Sequence, residues 1–78
     1  MPTILSTILD QFLDVYRIEK KAFKNDRDAM LDLYLYFSAF MDNMIKLNKK
    51  QKHKYTKLKQ AGLSYIKSNA KQILKNIK

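Results

Sequence analysis

The sequence contains no cysteine and no tryptophan, and it has one glycine, one proline and one histidine. Without cysteine the chain has no disulfide framework and no thiolate chemistry, which fits a reducing compartment. So little glycine and proline argues against a turn-rich β fold and favours an all-α class. The 78 residues form one small domain, which buries about 60–65% of its unfolded surface and leaves little room for a catalytic cleft.

Residues with catalytic or metal-binding chemistry are few and scattered. His53 lies among lysines, where we expect a solvated side chain rather than a base or a metal ligand. A single glycine excludes a phosphate-binding glycine loop. The acidic pairs Asp10/Asp14 and Asp26/Asp28 are explained by the electrostatics of helix ends. We therefore expect a protein that acts by binding, with no enzymatic activity, cofactor or metal.

Acidic residues are absent from the second half of the chain. Residues 1–44 carry five basic and seven acidic side chains, whereas residues 45–78 carry eleven lysines and no acid. These charges of −2 and +11 sum to the net charge of +9. So uneven a distribution indicates a partner that is anionic or has an acidic face.

The chain also lacks a long apolar run and a recognisable secretory signal. In its central segment, the uncharged residues 33–41 fall far short of the length of about 20 that a membrane span needs. The N-terminus shows no basic region followed by an apolar run and a cleavage site, so we expect no signal peptide and a cytoplasmic location.

Residues 30–47 form the most apolar stretch. At about 100° per residue in a helix, their apolar side chains cover an arc of about 220°, roughly twice that of an ordinary surface helix. A helix with so wide an apolar face needs neighbours on two sides. We therefore place it at the centre of a small bundle.

The hydrophobic periodicity predicts one antiparallel bundle domain over residues 1–78, with helices at about residues 3–23, 26–47 and 49–76. Gly62 either divides the last helix, which would give four helices, or permits close packing. We favour three helices, with a kink at Gly62.

Helix caps are predicted at both turns. Asn25 is expected to cap the central helix with Asp28 in a capping-box arrangement, and Asn48 with Gln51 to cap the last helix. Glu19 falls inside the apolar arc of the first helix. Fraying near the end of the bundle or a salt bridge to a lysine explains this position, and a functional buried carboxylate is the alternative.

The predicted core takes apolar stripes from all three helices: Phe12, Leu33, Phe37, Phe40, Met44, Leu58, Ile66 and Ile73. The predicted partner-binding residues lie on the opposite, lysine-bearing side of the last helix: Lys50, Lys54, Lys57, Lys67, Lys71 and Lys75.

Three interpretations of these lysines stay open. They are a solvated face, a nucleic-acid surface on which Tyr36, Tyr55 or Tyr65 stacks on bases, or a surface for an anionic inner leaflet or a membrane-protein complex. Both arginines lie in the first half, so the side chain that best reads bases is missing from the lysine-rich face.

The order of the aromatic and basic segments along the chain is a further sequence feature. The aromatic segment of residues 34–40, YLYFSAF, follows Ile8-Leu9-Asp10 and Val15-Tyr16 and precedes a polar turn and a basic helix with Tyr55. This arrangement resembles the immunity proteins of pediocin-like (class IIa) bacteriocins, the enterocin A immunity type. The similarity covers roughly residues 4–66, and the chain is one helix shorter than the family pattern unless Gly62 divides the last helix.

The resemblance implies a small, basic, cytoplasmic antiparallel four-helix bundle that protects a bacteriocin producer from its own toxin. It implies binding, from inside the cell, to the bacteriocin-occupied membrane receptor, which consists of mannose phosphotransferase components. Residues 49–78 would then be the recognition element. The alternative function is a small nucleic-acid-binding regulator of phage or plasmid origin, and a homodimer closing the apolar face of the central helix also stays open.

Overall fold

The computed structural model describes the backbone of residues 3–18 and 22–77 and the side chains of residues 3–18 and 22–76. These residues form three α-helices: α1 (Ile4–Ile18), α2 (Asp26–Leu47) and α3 (Lys52–Ile77). The prediction of an all-α helical bundle is confirmed. Glu19 lies outside the described residues.

The helices pack as an antiparallel bundle in which α2 and α3 share the largest interface. Helices α1 and α2 are antiparallel. Tyr16, late in α1, contacts Asp32 early in α2, whereas Phe12, earlier in α1, lies against Phe40 later in α2. Asp42 of α2 meets Lys59 of α3, and Phe37, earlier in α2, lies against Gly62, later in α3, so these two helices are antiparallel too.

Helix α1 is shorter than the sequence predicts. It begins at Ile4, where the hydroxyl of Thr3 accepts a hydrogen bond of 3.0 Å from the backbone N–H of Ser6. It is described to Ile18, before residues 19–21, which lie outside the described part of the chain, and Ala22 and Phe23, predicted as helical, are exposed and not helical. The chain reverses here, and residues 22–25 form the described part of the turn into α2.

Helix α2 occupies the bounds that the sequence predicts. The side chain of Asn25, whose backbone is extended, accepts a hydrogen bond of 2.9 Å from the N–H of Asp28. Asp26 and Asp28 lie in the first turn, where the positive end of the helix dipole favours a carboxylate.

The prediction that Asn48 caps the start of the last helix is wrong. Its amide Nδ2 donates a 2.8 Å hydrogen bond back to the carbonyl of Met44, so the side chain caps the end of α2. A 3-10 turn at Lys49–Gln51 then leads into α3. An asparagine amide can donate as well as accept, and the carbonyl of Met44, which also accepts the backbone N–H of Asn48 at 3.0 Å, has a second lone pair for it.

The kink in α3 lies at Asn69 rather than at the predicted Gly62. Asn69 has non-helical angles (φ −122°, ψ 15°), and its Nδ2 donates a 2.9 Å hydrogen bond to the carbonyl of Tyr65. Such a local side-chain bond competes with the regular backbone pattern of the helix. Helix α3 therefore continues through Gly62, and the described helices number three rather than four.

The core lies where α1 and α3 meet α2. Of the predicted core residues, Phe12, Leu33, Phe37, Ile66 and Ile73 are buried, whereas Phe40, Met44 and Leu58 are half-buried and pack around them. Ile8, Leu9, Tyr16, Met41 and Ala70 complete the buried set.

The wide apolar face of α2 is only partly covered. Its neighbours α1 and α3 bury Leu33, Phe37 and Met41, but Leu31 stays more than half exposed.

Candidate functional site

The candidate site is the set of six predicted lysines, which we call the basic surface: Lys50, Lys54, Lys57, Lys67, Lys71 and Lys75. Every one of these residues is exposed. Lys50 lies in the 3-10 turn before α3, and the other five lie along α3 itself. The ammonium groups are thus available to a partner over the whole length of the helix.

The kink at Asn69 divides this basic surface. Lys54, Lys57 and Lys67 precede the kink, while Lys71 and Lys75 follow it, one helical turn apart. Because the rotation of 100° per residue is interrupted at Asn69, the lysines do not form one straight row.

Lys59 differs from the six lysines of the basic surface. Its Nζ lies 2.7 Å from Oδ1 of Asp42, and this ion pair connects α3 to α2. Among the residues described by the structure, Lys59 is the one lysine of α3 with a carboxylate partner. We assign it a structural role, which the sequence did not indicate because Asp42 is 17 positions away.

The tyrosines considered for base stacking are not part of the basic surface. Tyr36 lies in the aromatic cluster with Phe12 and Tyr16, at ring-centroid distances of 6.0 and 5.3 Å. Tyr55 is half-buried. Tyr65 is about half exposed, but it lines a groove between α1 and α3 together with Leu9 and Leu13 of α1.

Sequence reasoning missed a polar contact in the core. The hydroxyl of the buried Tyr16 donates a 2.8 Å hydrogen bond to Oδ2 of Asp32 in α2. A tyrosine on an apolar face generally finds an acceptor for its hydroxyl. Burial first, and then the hydrogen bond to Asp32 and its negative charge, raise the pKa of Tyr16 well above its ordinary value.

This contact predicts a pH-dependent effect of Tyr16→Phe. At neutral pH we expect the variant to lose about 1–2 kcal/mol of unfolding free energy, because a hydrogen bond to a carboxylate is removed. In the unfolded wild type Tyr16 ionises near pH 10.0, whereas the folded hydroxyl keeps its proton. Its stabilisation is therefore complete below that pH and is lost as the pH rises above it.

Urea denaturation of both proteins from neutral pH to about pH 11 measures this effect. The stability difference between wild type and Tyr16→Phe should narrow above pH 10.0, the ordinary pKa of tyrosine. Tyr65→Phe is the matched control, because Tyr65 is about half exposed and the change should leave stability nearly unaltered. A gap that stays constant through the alkaline range would contradict the assignment.

The remaining features add no further chemistry to the site. His53 is exposed in the first turn of α3, among lysines. None of the described helices combines the length and the apolar character needed to cross a membrane. No protein-family model matches this chain, and no curated protein or solved structure is significantly similar to it.

Proposed function

We propose that this protein is an immunity protein against a pediocin-like bacteriocin. It would bind the bacteriocin-occupied membrane receptor, formed by mannose phosphotransferase components, from the cytoplasmic side. The observation that carries the proposal is the exposure of all six lysines on the 3-10 turn and α3, a segment without any acidic residue. The aromatic segment of residues 34–40, which contributes Phe37 to the core, supports the resemblance.

The charge distribution suits a partner at a membrane surface. A lysine near an anionic leaflet contributes about 1 kcal/mol of attraction, which falls away within a Debye length. The acidic residues of α1 and α2 leave the first half of the chain with no such attraction. The protein would therefore approach the inner membrane face with α3 first, and specificity for the occupied receptor would come from the protein contacts that follow.

Expression in a bacterial strain sensitive to class IIa bacteriocins, followed by exposure to a panel of these toxins, tests the proposal. We expect protection against at least one of them. The double variant Lys71→Glu/Lys75→Glu should lose that protection, because it reverses the charge of the exposed end of α3. Lys24→Glu, an exposed charge reversal in the turn before α2, is the control and should protect as wild type does.

Two results would reject this function. The first is a lack of protection against every toxin of the panel by a protein that is expressed and folded. The second is equal protection by the double variant and the wild type. Retardation of DNA by the purified protein at physiological salt, weakening steeply as salt rises, would instead support the nucleic-acid-binding regulator.

A further inference from the structure

The open side of the α2–α3 pair carries a groove of about 370 Å³. Its described lining comes from these two helices alone, with Tyr34 and Leu31 from α2 and Ile66 and Ala70 from α3. Ile66 and Ala70 are buried and form its floor, Tyr34 is half-buried, and Leu31 forms an exposed wall. We call this feature the α2/α3 groove.

Exposure of Leu31 is the main sign that the α2/α3 groove is incomplete. Its side chain is 56% exposed, whereas Tyr34, about one turn later on the same side of α2, is half-buried. The apolar arc of α2 is wider than α1 and α3 can cover, so part of it faces solvent beside the groove. Grooves of this kind between paired helices accept the apolar side of a further helix.

The charges around the α2/α3 groove indicate which kind of partner it can bind. Arg27 and Lys67, both exposed, lie on its rim. The one acidic lining residue, Asp28, lies in the first turn of α2, where the helix dipole favours its charge. A second copy of this chain would bring the same basic rim and a net charge of +9, which opposes self-association.

We propose that the α2/α3 groove binds an amphipathic helix of a partner protein that bears carboxylates beside its apolar stripe. Its apolar side chains, spaced three and four residues apart, would pack on Leu31, Tyr34 and Ile66. Its carboxylates would lie near Arg27 and Lys67. The inference goes beyond the proposed function, because it concerns a helix bound in solution and holds whether or not the chain confers protection.

A synthetic peptide is the probe for this site. It has about 18 residues, leucines at helical spacing, flanking glutamates and a terminal fluorophore, and its matched partner has lysines in place of the glutamates. Fluorescence anisotropy should show that the acidic peptide binds at least about tenfold more tightly than the basic peptide. Binding of the acidic peptide should also weaken as salt is raised.

Paired variants then locate the peptide on the protein. Leu31→Gln should weaken binding by about tenfold, whereas Leu35→Gln should leave it nearly unchanged. Leu35 is a close control because it lies on the same helix and is 57% exposed, but it is not among the groove-lining residues. Lys67→Glu should weaken binding more than Lys57→Glu, which makes the same charge change outside the groove.

Several outcomes would overturn the proposal. They are a failure of the acidic peptide to bind, equal binding of both peptides, or equal effects of Leu31→Gln and Leu35→Gln. Circular dichroism and thermal unfolding establish that each variant is folded, so a loss of binding cannot be a loss of structure. A dimer in sedimentation experiments that Leu31→Gln dissociates would identify a second copy as the occupant and equally reject an acidic helix.

Discussion

Replacing Phe12 by alanine should lower the free energy of unfolding by about 3–5 kcal/mol, the range for a buried phenylalanine. Phe12 has no exposed surface, and its ring contacts four others. Its centroid lies 5.0 Å from Phe37 in an edge-on arrangement, 5.6 Å from Phe40 and 5.7 Å from Tyr16. Tyr36 is the fourth contact, at 6.0 Å.

The free energy lost in Phe12→Ala is a large fraction of the protein's total free energy of unfolding. A domain of this length is stable by only about 4–12 kcal/mol, so Phe12→Ala should be partly unfolded at moderate temperature. Because Phe12 carries most of the described aromatic contacts of α1 with α2, its removal should also loosen α1. Thermal unfolding followed by circular dichroism measures the first effect, and amide hydrogen exchange along α1 measures the second.

Phe23→Ala provides the matched control for Phe12→Ala. Phe23 is 37% exposed and lies in the turn after α1, so the same truncation there should cost less than about 1 kcal/mol. Similar losses for the two substitutions would mean that Phe12 is not the centre of the core.

The start of α2 was predictable because its determinants are local. Asn25 and Asp28 are three positions apart, and the cap that they form depends on no other helix. Exposure of the lysines was predictable for a similar reason, since an unpaired ammonium group is rarely buried. The cap made by Asn48 also depends on local residues, but its amide can both donate and accept a hydrogen bond. The sequence therefore could not show which helix Asn48 would cap.

Features that depend on how the helices dock could not be predicted from one sequence. The hydroxyl of Tyr16 had many possible acceptors until α1 and α2 were placed side by side. The same holds for the pair of Lys59 and Asp42, and for the part of the apolar arc of α2 that stays open beside Leu31. The kink at Asn69 was missed because its signal, an asparagine inside a helix, is weak compared with that of a glycine.

Gly62 shows how a tertiary contact can reverse a prediction made from propensity. A glycine inside a helix costs about 1 kcal/mol relative to alanine, so the sequence marked this position as weak. In the structure a Cβ atom built on Gly62 would lie 2.5 Å from Cε2 of Phe37 and closer still to its Cζ. Leu5 of α1 lies 3.5 Å from the same point. Gly62 therefore permits α2 and α3 to approach closely around the ring of Phe37.

We expect Gly62→Ala to destabilise the protein, although alanine is the better helix former. Overpacking in a filled core costs about 1–3 kcal/mol, which outweighs the gain in propensity of about 1 kcal/mol. The ring of Phe37 is fully buried and packs against Phe12, so it cannot move aside freely. Gly62→Val, which adds two further carbons, should be more destabilising than Gly62→Ala in urea or thermal unfolding.

A control and a double variant separate overpacking from helix propensity. Ala61→Gly, at the exposed neighbouring position, should cost about 1 kcal/mol, as propensity alone requires. In a Phe37→Leu background the smaller side chain leaves room for a methyl group, so Gly62→Ala should be less destabilising there than in the wild type. This coupling arises because positions 37 and 62 are in direct contact. An increase in stability on Gly62→Ala in the wild-type background would show that the Phe37 ring yields, and that the glycine is not required for helix packing.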